Sequence, residues 1–408
     1  MDTKQSRRKF LQGSAYVAGL VGVGLQVAGS RAAAQDVAPG RVGAAKPEVI
    51  NLGANTLSIG PAKSALQQIA ESAPDSGGYP GKEARDFMST LSEQLGVPED
   101  HISVYPGSGT PLGLAVMTFT GPERSLVTAD PTYEQSWRTA PKVGGKVIKI
   151  PQRADNSHDV QAMCAADPKA GIVYICNPNN PTGAITTRKD IEYALAHKPA
   201  GSILLIDEAY IHFSDNAASV VDLVPTHPDL LVLRTFSKLY GMAGLRLGYA
   251  VAQPATLEKM NFYGGGSVAL TTFVAGTASL RDASLVPERR KMIAKGRNET
   301  IAWLEKKGHR CTKSESNCFM VEIGRDAKEF QKAMATWGVM VGRSWPGFET
   351  WPRISVGTEE EMARFRAAFV QVMAGRTGPL PPPPSRRTAS LDGMEVELSQ
   401  AGSAHLVC

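Results

Sequence analysis

The feature that most limits what this chain can fold into is a series of short, unbroken apolar runs separated by segments of helical pattern. Ile203-Leu204-Leu205-Ile206 and Ile172-Val173-Tyr174-Ile175-Cys176 show no polar alternation. A strand with one face in water alternates apolar with polar, whereas a strand covered on both faces does not. Residues 125–128, 146–150, 172–176, 203–206, 230–233 and 248–252 read as strands, with a shorter one at 102–104. Residues 111–119, 133–142, 188–196 and 257–262 read as helical or turn segments between them. This alternation predicts an α/β fold with a mostly parallel central sheet and helices on both faces. The large domain is expected over 81–284. From 285 the pattern changes to a long charged helix (286–307), strands at 319–323 and 353–356, and a helix at 359–373. That order predicts a smaller α+β domain over 285–374, with 46–80 packing against it.

The two ends read differently from the body. Ser6-Arg7-Arg8-Lys9-Phe10-Leu11 precedes an uncharged run from 13 to 30 rich in Gly, Ala, Val and Leu, and Ala32-Ala33-Ala34 follows. A basic segment, an apolar segment and a small-residue cleavage site make a secretory signal over 1–34. The paired arginines before Phe-Leu resemble a twin-arginine signal, which predicts an exported, periplasmic protein that meets the membrane only through this segment. At the other end, Gly375 begins a Gly/Pro-rich and then polar stretch to Cys408, expected to be disordered.

A net charge of +5 over 408 residues is small, and no basic stripe is interleaved with aromatics, so nucleic acid is not expected as a partner. The five cysteines (164, 176, 311, 318 and 408) form no CxxC or Cys/His pattern, so no metal site is expected.

Five segments at strand ends carry the chemistry. In Thr235-Phe236-Ser237-Lys238, a lysine follows small hydroxyl residues at the end of an apolar strand. Desolvation there would lower its pKa and free its amine to attack a carbonyl. Arg246, eight positions on, adds a planar fork suited to phosphate oxygens. Asp207-Glu208-Ala209-Tyr210 places an acid at the carboxyl end of a central strand, in the ligand crevice of an open α/β sheet. Asn177-Pro178-Asn179-Asn180-Pro181-Thr182-Gly183 is a rigid turn that could hold the Asn180 amide still. Gly107-Ser108-Gly109-Thr110 precedes a helix, where glycines admit an anion to free backbone amides. Taken singly, each has an ordinary alternative: a surface lysine, a salt bridge, a helix cap, a turn or a loop.

In this order they resemble the class I/II aminotransferases of pyridoxal-phosphate fold type I, and most closely the histidinol-phosphate aminotransferase family. The resemblance runs from about 51 to 373. It implies pyridoxal 5'-phosphate held by Lys238 as a Schiff base, with Lys238 also carrying the proton. Asp207 is implied at the ring nitrogen, Asn180 and Tyr210 at the ring hydroxyl, and Tyr133 on the ring face. Ser108, Gly109, Thr235, Ser237 and Arg246 are implied at the phosphate. Tyr79 matches a tyrosine that reaches the partner subunit's phosphate, implying a homodimer. Arg353 matches the arginine gripping the substrate carboxylate, with Asn317 and Asn55 assigned to the substrate side. The implied reaction moves an amino group from an amino acid or related amine to a 2-oxo acid.

The sequence departs from that family in ways that count against histidinol phosphate as substrate. No tyrosine lies within 37–49, and the Asn-Glu-Asn-Pro motif is reduced to Asn55-Thr56-Leu57-Ser58. Gly264-Gly265-Gly266 stands where bulkier residues are usual, which suggests open space. Arg343, Trp345 and Trp351 suggest a pocket for an aromatic or otherwise bulky substrate. The same lysine and acid would also serve a carbon–sulfur lyase, a decarboxylase or a racemase, and the fold could persist in a non-catalytic binding protein.

Overall fold

The computed structural model describes residues 49–380, together with the backbone of 387–391 and 394–398. The signal expected over 1–34 lies outside the described residues. In chain order the strands are β1 (Ile50–Leu52), β2 (Ile102–Tyr105), β3 (Leu126–Asp130), β4 (Val147–Pro151), β5 (Ile172–Cys176), β6 (Ile203–Asp207), β7 (Leu230–Thr235), β8 (Gly248–Val251), β9 (Cys318–Met320), β10 (Val339–Val341), β11 (Arg353–Ser355), β12 (Arg387–Leu391) and β13 (Met394–Leu398). The helices are α1 (Lys63–Ser72), α2 (Gly81–Leu95), α3 (Gly109–Phe119), α4 (Gln135–Thr139), α5 (Val160–Ala165), α6 (Arg188–His197), α7 (Pro254–Asn261), α8 (Leu270–Arg281), α9 (Leu285–Glu305), α10 (Ala327–Thr336) and α11 (Glu359–Met373).

The central sheet has seven strands in the order β2-β8-β7-β6-β5-β3-β4. Strands β3 to β7 run parallel, and β8 is antiparallel to both its neighbours, β7 and β2. Every residue of β5, β6 and β7 is buried, which is why these runs lack alternation. Successive side chains of a strand point to opposite faces. Accordingly, Val173, Ile175, Leu204, Ile206 and Val232 join one apolar core. Tyr174, Cys176, Leu205, Leu231 and Leu233 join another on the opposite face. A third core, around Phe319, Phe330, Phe365 and Phe369, builds the smaller domain and takes in Ala209, Tyr210 and Phe213. There α11 begins with a capping box: Thr358 accepts from the Glu361 amide while the Glu361 carboxylate accepts from the Thr358 amide.

Two expectations need correction. The segment 46–80 divides between the domains. Strand β1 pairs in parallel with β10 of the small domain, but α1 packs on α8, and its Ala65 lies in the large-domain core with Phe87. The segment 133–142, read as helical or turn, holds both: α4 stops at Thr139, and a 3-10 turn (Ala140–Val143) containing Pro141 follows. Proline lacks the N–H that an α-helix interior needs. The tail is not structureless throughout, because β12 and β13 pair antiparallel. The tail's first residues are also tied down: the amides of Gly378 and Leu380 donate to Thr336. Among the described residues, no helix is long and apolar enough to cross a membrane, and no group of three or more His, Cys, Asp or Glu could hold a metal ion.

Candidate functional site

A cleft of about 580 Å³ opens outside the carboxyl ends of β5, β6 and β7. Parallel strands deliver their loops to one end, so Asn180, Asp207, Tyr210, Thr235, Ser237 and Lys238 converge there from separate segments.

Asp207 and Lys238 lie in the same cleft, and burial acts on both in the direction that favours neutrality. Desolvation raises the Asp207 carboxyl from 3.8 to about 6, against opposing hydrogen bonds from Tyr174 and the Ala209 amide and the positive charge of Lys238. Tyr174 Oη donates to Asp207 Oδ2 at 3.0 Å, and the Ala209 amide donates to Oδ1 at 3.1 Å. Desolvation, and then the nearby positive charge of Arg353, lowers the Lys238 amine from 10.5 to about 8. Lys238 Nζ lies 5.5 Å from the centroid of the Tyr210 ring.

At one end of the cleft is an anion cradle. The start of α3 carries no side-chain cap, so its first amides remain available to a ligand. Arg246, held at φ 58°, donates to Ser237 Oγ (3.3 Å), Ala243 O (2.9 Å) and Pro106 O (3.2 Å). Thr235 Oγ1 lies 2.9 Å from Ser237 Oγ. Gly107, at φ 82°, admits this guanidinium, since a Cβ there would lie 2.2 Å from Arg246 Nη2. These donors and this opening fit a phosphate group.

At the other end stands Arg353, on β11. Its Nη1 donates to Asn180 Oδ1 at 2.7 Å, its Nη2 donates to Gly53 O, and its Nε is buried without a partner. Beyond it lies a compartment of about 370 Å³ walled by Tyr133, Glu134, Arg138, Arg343 and Trp345. Trp345 is 3% exposed. The Arg343 guanidinium sits 4.2 Å from its ring centroid and pairs with Glu134.

Most of the residues read from sequence therefore come together: Ser108, Gly109, Tyr133, Asn180, Asp207, Tyr210, Thr235, Ser237, Lys238, Arg246, Arg353 and Asn55 all line the cleft. Two do not. Tyr79 stands fully exposed. Asn317 is buried behind the wall, where its Nδ2 donates to Asn55 O at 3.1 Å. Trp351 packs on Phe348 and Arg310 rather than on either cavity. Of the glycines at 264–266, only Gly264 borders open space, with nothing within 4 Å of where a Cβ would stand. Cβ atoms at Gly265 and Gly266 would meet the Tyr105 ring at 3.0 Å and Pro106 at 3.2 Å, so these two allow close packing instead. Two site residues escaped the sequence reading. Gln135 donates to Gly109 O and accepts from Tyr133 Oη, and Tyr174 anchors Asp207. For Tyr174 the signal was a hydroxyl in an otherwise apolar strand, two residues from its end.

The sequence model described as aminotransferase class I and II matches residues 47–369. A histidinol-phosphate aminotransferase of Moorella thermoacetica is 32% identical over 80% of this chain and 86% of its own. An aromatic amino acid aminotransferase of Rhodococcus jostii is 30% identical over 79% and 90%. Among solved structures, a histidinol-phosphate aminotransferase from Sinorhizobium meliloti in complex with pyridoxal-5'-phosphate superposes with a TM-score of 0.73 at 26% identity, covering 80% of this chain and 91% of that one. With a family match that spans both domains, the chain belongs to the class I and II aminotransferases, pyridoxal-phosphate-dependent transaminases of fold type I.

Proposed function

We propose that the chain transfers the amino group of an α-amino acid with a bulky or aromatic side chain to a 2-oxo acid, and that histidinol phosphate is not its substrate. The observation that carries the reading is the arrangement of one cleft: a half-buried amine and a buried carboxyl between a phosphate cradle and an arginine. Bound there, pyridoxal phosphate supplies an aldehyde that condenses with amines and a ring that stabilises charge at the adjoining carbon.

The protein's part follows from position. Lys238 would hold the cofactor through Nζ, and its lowered pKa leaves a larger share of the amine unprotonated near neutral pH than an ordinary lysine has. The same nitrogen would serve as the base that moves the substrate's α-proton; such a positioned base contributes about 10²–10⁴-fold. Asp207 would hold a proton on the ring nitrogen, Asn180 and Tyr210 would hold the ring oxygen, and Tyr133 would cover the ring. Ser108, Gly109, Thr235, Ser237 and Arg246 hold the phosphate. Arg353 takes the substrate carboxylate, which leaves the side chain facing the Trp345 compartment. That indole wall, and the Rhodococcus jostii relative named for aromatic amino acids, support the bulky substrate. We extend the proposal to a homodimer in which the exposed Tyr79 completes the partner's cradle, and to export through the twin-arginine segment.

The test is a donor screen on purified holoenzyme, with aromatic, aliphatic and acidic amino acids and histidinol phosphate, reading loss of aldehyde absorbance and formation of keto acid. Aromatic donors should discharge the cofactor fastest. Fastest discharge by histidinol phosphate would overturn the substrate assignment, and release of pyruvate with ammonia would replace transfer by elimination.

A further inference from the structure

Asn55 is 1% exposed and sits where three parts of the chain meet. Its φ of 52° is a left-handed conformation that asparagine tolerates better than most residues. Its own amide donates to Ser355 Oγ at 2.8 Å. The single Ser355 hydroxyl proton is then left for Asn55 Oδ1, also at 2.8 Å. This pair of bonds fixes which way the side-chain amide faces. Oδ1 is turned to Ser355, and Nδ2 is turned to Tyr210 Oη (3.1 Å) and Cys318 Sγ (3.3 Å). Asn317 secures the same backbone from behind.

An amide nitrogen only donates, and a tyrosine hydroxyl has one proton. Where Asn55 donates to Tyr210 Oη, that proton cannot lie along the same contact. We propose that Asn55 is a positioning residue: it sets the polarity of the Tyr210 hydroxyl, so that its proton faces the cleft and is donated to the cofactor's ring oxygen. This moves Asn55 from the substrate-contact role read from sequence, and it rests on the assignment of Tyr210 to that oxygen. A donor at the ring oxygen favours its anionic form, and so lowers the pH at which the protein-linked cofactor loses its proton.

The test is the absorbance pH titration of the bound cofactor, with the Kd for pyridoxal phosphate measured alongside. Asn55→Asp replaces the donor by an acceptor of the same shape, so Tyr210 would turn its proton away from the cleft. Losing one hydrogen bond to a charged acceptor should raise the titration midpoint by about one pH unit. Asn55→Gly keeps the left-handed backbone and should give a smaller rise, which preserves the test should the aspartate variant fold poorly. Tyr210→Phe should raise the midpoint by itself, and adding Asn55→Asp to it should then move the midpoint by less than half its single-variant shift. An equal shift in both backgrounds, or no shift in the wild-type background, would overturn the role of Asn55. An unmoved midpoint in Tyr210→Phe would instead remove the underlying assignment of Tyr210.

Discussion

The two ends of the cleft are built by opposite strategies. The phosphate end and the floor come from strand ends of one sheet, each followed at once by a short loop: Gly107–Thr110, Asn177–Gly183, Asp207–Tyr210 and Thr235–Arg246. The arginine end is assembled across the chain. Arg353 reaches Asn180 from 173 positions away and Gly53 from 300, and Asn55 meets Ser355 across 300. The first region is fixed by a rigid layer buried on both faces. The second depends on how β1 and the small domain meet the large one, so it is the place where substrate range can change without disturbing the cofactor.

That division can be broken experimentally. The largest effect belongs to the floor: Lys238→Ala should lower transamination more than about 10⁴-fold, with borohydride trapping of the cofactor lost from the 238-containing peptide. Asp207→Asn should follow at about 10³-fold, read as single-turnover discharge at saturating donor. The two arginines then separate the ends. Arg353→Lys should raise KM for a carboxylate donor about 30-fold while leaving cofactor affinity alone, and Arg246→Lys should weaken cofactor binding about 10-fold while leaving KM alone. If Arg353→Lys weakened cofactor binding as much as Arg246→Lys does, the two ends would not be separable. The smallest effect crosses between them. Because the Lys238 amine is depressed to about 8, capture of pyridoxal phosphate by the cofactor-free protein should rise with pH through that value. Part of the depression comes from Arg353, so Arg353→Met should move the midpoint upward, by about half a unit in the capture-rate profile.

The same contrast explains what could be read in advance. The strand at Ile172–Cys176 was legible to the residue, because an unbroken buried run has few other uses. The helix at Glu359–Met373 was equally clear from its apolar spacing and acidic start. The segment that forms α1 was assigned to the wrong domain, because the face it buries is decided by α8, some 200 residues on, and nothing local in Lys63–Ser72 names that partner. Tyr174 was read only as strand, since its role depends on β6 lying beside β5 with Cys176 opposite Asp207.

By itself the sequence determined the alternating α/β framework, the lysine, the acid and the anion loop. These are set by contiguous residues whose burial pattern and turn chemistry act over a few positions. Only the tertiary structure decided that Asn55 backs Tyr210, that Asn317 sits behind the wall, that Trp345 rather than Trp351 lines the compartment beyond Arg353, and that Gly265 and Gly266 are packed rather than open. Each of these turns on a contact between residues far apart in the chain, and a hydrogen bond's direction or a side chain's free space exists only once both partners have been brought together.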